Sequence, residues 1–485
     1  MRALRSVAVL FVFIFLAILL LSYNSISRSS FSTKSSVSEF PFHASLASPV
    51  ACHDPYRAPG YFHIDHNNVR LSQWIPFTDD TGALDVPVPE SAHYPTDTIP
   101  VFTADPPPQE FIAAGPHNWL IETTNYKNLL EAIERAKGDG SDHKPLKLTD
   151  VQQRLIGRMN WLHNRRVLAL GDSVDRIMIE EFCNVLGHTA KRTEGKYGGQ
   201  HTTYRCTIPV LNFTIYHWQV ASMYPMRPPW FWLDHIKELA FEDRFKSIYE
   251  PVRAEVIGMN GKTPDLILFQ SGLWDERAFR ESTRNMPHPG DENLSPEQLA
   301  EAQKQRAETG LGRAGRQLSW DELMFFKARM NKFMDYIRDY FGGDPNLPMM
   351  YRGLTTRRQS TNSDLATINM DRLSRALAAR KGIEIFEWAR LTLAFSNEYS
   401  DYLHIGKGPL NILWANMMFY YLFRASGGAE FNGTFFSMPD PVAQYVIEGQ
   451  GAIGAPEIVV PSSPDTEVNS HWASCHRYNV HWGGR

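Results

Sequence analysis

The sequence predicts an α/β fold with a central, mostly parallel sheet, preceded by an N-terminal membrane anchor. Three observations carry that prediction. Short apolar runs of strand type at Arg166–Leu170, Asp265–Phe269, Pro348–Arg352 and Ile383–Trp388 are separated by stretches with apolar residues at helical spacing. Strands separated by helices pair in parallel and bury both sheet faces. The composition is globular, with 43% hydrophobic and 21% charged residues among 485, which excludes a largely disordered, collagenous or many-span membrane chain. A net charge of -4 gives no reason to expect a nucleic-acid partner, since such proteins concentrate basic charge against phosphate.

The elements follow in order. Val7 to Leu21 is an unbroken apolar run behind Arg2 and Arg5, close to the roughly 17 to 25 residues that cross a bilayer. The arginines favour the cytoplasmic side, so residues 1–23 read as a signal anchor and the rest as lumenal, with a cleaved signal peptide as the competing reading. That is a single-pass type II protein of the Golgi or another secretory-pathway lumen, or a secreted protein if the anchor is cleaved. Residues 24–50 are serine-rich and read as a stem. Residues 51–160 read as a loop-rich and helical extension, with helical patterning from Asn125 and again from Leu148 to Leu162.

Residues 161–430 read as the catalytic domain. The run Arg166-Val167-Leu168-Ala169-Leu170 ends at Gly171-Asp172-Ser173, after which Val174, Ile177, Met178, Phe182, Val185 and Leu186 share a helical face up to Gly187. Ser173 is thus expected on the turn from a buried strand into a helix N-terminus, where free backbone N–H groups and the helix dipole can stabilise an oxyanion. The plainer reading of Gly-Asp-Ser is a helix cap. Amphipathic helices are expected at Leu323–Phe341 and Pro409–Arg424, a polar insertion at 281–317 and a C-terminal extension at 431–485.

Asp401 stands three residues before His404 in an expected loop between the last strand and the last long helix. Serine needs a base to become nucleophilic, histidine suits neutral pH, and the histidine needs a carboxylate to fix its tautomer. In a parallel sheet such groups collect at the carboxyl ends of the strands. Ser173, His404 and Asp401 are therefore the expected nucleophile, base and orienting acid. Four cysteines allow three pairings, among them Cys183–Cys206 with Cys52–Cys475. Asn212 and Asn432 begin glycosylation sequons, while Asn293-Leu294-Ser295 is followed by Pro296. His63-Ile64-Asp65-His66 has metal-compatible side chains without partners at zinc spacing, and no metal site is expected. Trp230, Phe231 and Trp232 suggest a sugar platform or loop packing.

The segments Leu168 to Ser173 with Arg176, Ser271-Gly272-Leu273-Trp274-Asp275, and Asp401-Tyr402-Leu403-His404 resemble the PC-esterase group of SGNH (GDSL-like) proteins. That group includes trichome-birefringence-like polysaccharide O-acetyltransferases and Cas1-type capsule acetyltransferases, the latter with many membrane spans where this chain has one. The resemblance spans about residues 160–425. It implies an SGNH-like three-layer fold and a lumenal acyl transferase, acetyl being the expected group, that modifies carbohydrate hydroxyls through a Ser-His-Asp acyl-enzyme. It further implies an acyl donor (acetyl-CoA or another acetyl donor), no bound cofactor, and a glycan or polysaccharide acceptor. The Gly272 block would help form the oxyanion hole, with Gln270 where the family commonly has asparagine. Trp274 and Arg352 are candidate substrate contacts. The alternatives are a carbohydrate esterase using the same triad, and a catalytically silent glycan-binding or scaffold protein.

Overall fold

The computed structural model describes residues 54–77, 116–138, 148–192, 203–226, 228, 236–286, 288–308, 316–356, 364–392, 395–426, 429–431 and 434–436. The anchor at 1–23, the stem, Cys52, Cys475, Trp230–Trp232, the Asn432 sequon and most of 431–485 lie outside the described residues. Among the described residues no helix is long and apolar enough to cross a membrane.

A seven-stranded sheet forms the centre of the fold. Its strands are β3 (Arg166–Gly171), β4 (Lys191–Arg192), β5 (Thr203–Ile208), β6 (Phe213–Gln219), β7 (Leu266–Phe269), β8 (Met349–Arg352) and β9 (Glu384–Phe386), following a separate hairpin of β1 (Gly60–His63) and β2 (Gln73–Pro76). The order is β4-β5-β6-β3-β7-β8-β9. The five strands from β6 to β9 are parallel, and β5 and β4 extend the edge in antiparallel fashion. The mixed, mostly parallel sheet agrees with the predicted class. All seven residues of β6 are buried, as expected of a strand covered on both faces.

Strand alternation divides the core. Val167 and Ala169 face one apolar layer, Leu168 and Leu170 the other. The first layer holds residues from α1 (Trp119–Gly138), α2 (Asp150–Met159), α3 (Ser173–Val185), α8 (Trp388–Thr392) and α9 (Pro409–Ala425); the second holds α6 (Trp320–Tyr340) and α7 (Leu365–Arg380). Helices α4 (Leu273–Asn285) and α5 (Pro296–Glu308) lie in chain order between β7 and α6, so the polar insertion carries the expected helix.

Helix α9 departs from expectation. It was predicted to be amphipathic, yet all 17 of its residues are buried, as in helices enclosed on every side. Three of its polar side chains find partners inside: Asn411 Nδ2 donates to the Met178 carbonyl at 3.0 Å, Asn416 Oδ1 accepts from the Leu120 N–H at 2.9 Å, and Arg424 pairs with Glu384 at 2.6 Å. The same cluster reaches the first described residues. Tyr421 donates its hydroxyl to Asp54 at 2.7 Å, and the Arg57 guanidinium lies 3.5 Å from Asp54. Residues ahead of 160 are thus packed into the core by α9.

Cys183 of α3 and Cys206 of β5 form a disulfide with Cα atoms 5.6 Å apart, closing 23 residues of sequence. Closing a loop of that size stabilises a fold by about 3 kcal/mol through the unfolded chain. Replacing both cysteines by alanine is expected to lower unfolding free energy by about that amount in urea titrations, and a change below about 1 kcal/mol would refute it. The Asn212 side chain is on an exposed turn, donating to Asn164 Oδ1 at 2.7 Å.

Candidate active site

Ser173 is the first residue of α3, immediately beyond β3. The turn is made by its neighbours. Asp172 is the N-cap, its Oδ1 accepting the Val174 N–H at 2.9 Å, and Asp175 completes a reciprocal capping box. The capping interpretation and the nucleophile interpretation thus fall on adjacent residues: Asp172 caps, leaving the Ser173 hydroxyl uncommitted to the helix. A Cβ on Gly171 would lie 1.9 Å from Asp175 Oδ2, so no larger residue fits between strand and cap.

His404 comes from the loop before α9. Its Nε2 is 2.8 Å from Ser173 Oγ, and its Nδ1 is 2.7 Å from Asp401 Oδ2. With the Nδ1 proton donated to Asp401, Nε2 presents its lone pair to the serine hydroxyl. The loop is tied internally. Asp401 Oδ1 accepts the N–H groups of Leu403 and His404 at 2.7 and 2.8 Å, and Ser400 donates both its N–H and its hydroxyl to the His404 carbonyl. Burial alone would raise the Asp401 pKa, but the His404 ring and these two N–H groups outweigh it and hold the carboxyl below its ordinary value. Side-chain exposure of 21% for His404 and 47% for Asp401 leaves the group open to solutes.

The neighbouring strand supplies the second rim loop. Pairing of Leu170 with Phe269 places Gly171-Asp172-Ser173 beside Gln270-Ser271-Gly272. Among the described residues, the backbone N–H groups of Ser173 and Gly272 have no acceptor, as required of oxyanion donors. A Cβ on Gly272 would come within 2.4 Å of Leu354 Cδ1. Buried Asp275 ties this loop to the one after β6, accepting from Ser271 Oγ, Ser222 Oγ and the Met223 N–H at 2.7, 2.8 and 2.6 Å.

Two of the candidate oxyanion or substrate-binding groups are elsewhere. Arg352 is fully buried, forks onto Asp175 through Nε and Nη2 at 2.8 and 2.7 Å, and donates Nη1 to the Gly353 carbonyl at 2.9 Å. Gln270 is also fully buried and gives its amide to Asp175 Oδ2 at 2.9 Å. Neither reaches the surface, because the strand ends that carry them lie under the serine turn. Trp274 is half-buried and packs against two apolar clusters. Arg176 pairs with Glu180 at 2.7 Å and lies 5.4 Å from the Tyr204 ring. Asp65 spends its Oδ1 on the N–H groups of Asn67 and Asn68, and no group of three metal-ligating side chains occurs among the described residues.

Sequence reasoning offered Asp172 only as a possible cap and passed over Asp175. Their signal was the Asp-x-x-Asp spacing at a helix start, which reads as a capping box. Burial, then the neighbouring charge of Asp175, pushes the Asp172 pKa up, with Arg352 opposing. His217 of β6 is also fully buried; burial, partly opposed by Asp175, lowers its pKa from 6.5 to about 4. The unfolded chain therefore takes up a proton before the folded one does. The His217 contribution is complete above pH 6.5, erodes as pH falls towards about 4 and then levels off, a loss of about 3 kcal/mol by linkage. His217→Leu is expected to flatten the pH dependence of the urea midpoint across that window; an unchanged slope would contradict it.

Comparison with protein families, with curated proteins and with solved structures returns no match.

Proposed function

We propose that this chain is a lumenal, membrane-anchored acyltransferase of SGNH-like type that moves an acetyl group onto carbohydrate hydroxyls. The observation that supports the reading best is the hydrogen-bonded series Ser173 Oγ, His404 Nε2, His404 Nδ1, Asp401 Oδ2, with steps of 2.8 and 2.7 Å, beside the backbone N–H groups of Ser173 and Gly272, which have no acceptor among the described residues. Residues 231 positions apart meet in the order that nucleophilic acyl chemistry requires.

In this mechanism His404 Nε2 takes the Ser173 proton as Oγ attacks the acetyl carbonyl of the donor. The Ser173 and Gly272 N–H groups hold the oxyanion, and Asp401 stabilises the imidazolium. Collapse breaks the bond to the donor's leaving group, which receives the proton from His404, and leaves acetyl-Ser173. A sugar hydroxyl then gives its proton to His404 and attacks the ester, releasing the O-acetyl glycan and returning the proton to Ser173.

The open triad favours one rival. With Asp401 47% exposed, water can replace the sugar, and the same residues then perform ester hydrolysis. Incubating the purified chain with an acetyl donor and glycan oligomers separates the two. A glycan that gains acetyl mass supports transfer; free acetate alone supports the esterase; neither product, with an unmodified serine, leaves no catalytic function for the site.

A further inference from the structure

The floor beneath Ser173 is charged, and one carboxylate organises it. Asp175, two residues beyond the nucleophile, accepts Arg352 Nε and Nη2 at 2.8 and 2.7 Å, Gln270 Nε2 at 2.9 Å and the Asp172 N–H at 3.3 Å. Arg352 and Gln270 are wholly buried and Asp175 is 3% exposed. The guanidinium also lies 3.9 Å from Asp172 Oδ1 and about 6.0 Å from the Trp388 ring. So both carboxylates of the capping box share one buried cation that arrives from β8, two strands away.

This arrangement does two things to the turn. The Asp172 N–H is held from below while its side chain is held by the Val174 N–H, which leaves the backbone from Gly171 to Ser173 little freedom. The charge balance matters as well. An oxyanion on the Ser173 N–H would form over the first turn of α3, where two uncompensated carboxylates would repel it and cancel the helix dipole. A buried guanidinium behind them offsets one of those two charges.

We propose that Arg352 and Gln270 are positioning residues of the acyl transfer, holding the Gly171–Ser173 turn through Asp175, with Arg352 offsetting part of the negative charge behind the oxyanion. The proposal rests on the Ser173 reading and extends it to residues that never touch substrate. It differs from a structural role in its kinetic signature, since a merely stabilising pair changes the fraction of folded protein and not the turnover of each folded site.

The test compares Gln270→Met and Arg352→Lys in the full chain. Methionine keeps the volume and removes one donor; lysine keeps the charge and loses the fork. Active sites are counted by endpoint labelling of Ser173 with an organofluorophosphonate, and p-nitrophenyl acetate reports kcat and KM. Per labelled site, kcat is expected to fall roughly 10 to 100 fold in each variant, with KM within about two fold of wild type. Gln270→Met is expected to melt close to wild type, so it decides the matter if Arg352→Lys folds poorly. Wild-type kcat per site in Gln270→Met overturns the proposal and leaves the Ser173 reading standing. A wild-type chain that takes no label at Ser173 overturns both.

Discussion

Ser173→Ala is expected to abolish the proposed acyl transfer and to leave the protein folded. In the proposed mechanism the hydroxyl forms the acyl-enzyme, and removing one member of such a triad costs about 10⁴ to 10⁶ fold in turnover. The fold has little stake in it. Asp172 caps the helix and Asp175 completes the box, while the Ser173 hydroxyl bonds only to His404 among the described residues. A stability change below about 1 kcal/mol is expected on losing one partly exposed hydrogen bond. Mass spectrometry after mixing with donor reads the chemistry directly: wild type is expected to gain one acetyl group at Ser173 and the variant none. A variant that transfers acetyl at the wild-type rate would end the proposed function.

Arg352→Leu produces the largest expected loss of stability. It removes both guanidinium bonds from Asp175 and strands two buried carboxylates without their shared cation. Removing one partner of a buried pair costs about 3 to 5 kcal/mol, whereas removing both can be nearly neutral. Urea unfolding is therefore expected to show a loss of that size for Arg352→Leu and substantial recovery in Arg352→Leu with Asp175→Asn. A single variant within about 1 kcal/mol of wild type would mean that the charges are not held as the geometry indicates.

Much of the region around the candidate site was legible residue by residue. The run ending at Gly171 was read as a strand and forms one, the period change at Val174 marked α3, and the strand ends at 269, 352 and 386 fell close to their predicted places. The strands that were missed have a physical explanation. β6 reads Phe-Thr-Ile-Tyr-His-Trp-Gln, and its threonine, histidine and glutamine do not resemble the apolar run of a central strand. β5 and the β1–β2 hairpin are equally mixed in character. Helix α7, between β8 and β9, was also passed over, because alanine, serine and arginine dilute its apolar spacing.

Local pattern was enough to determine an α/β chain with a serine at a strand-to-helix turn and an Asp-x-x-His pair before the last helix, because strand and helix periods, caps and breakers act over a few residues. Tertiary structure alone decided which side chains meet. His404 reaches Ser173 only because α9 and its preceding loop pack back over the β3 end of the sheet. Arg352, read from the sequence as a substrate contact, and Gln270, read as part of the oxyanion block, instead turn inward because parallel neighbours bring the ends of β7 and β8 beneath the Ser173 turn. A buried carboxylate there requires donors, and which strand provides them depends on the order of strands across the sheet, which no local run of residues encodes.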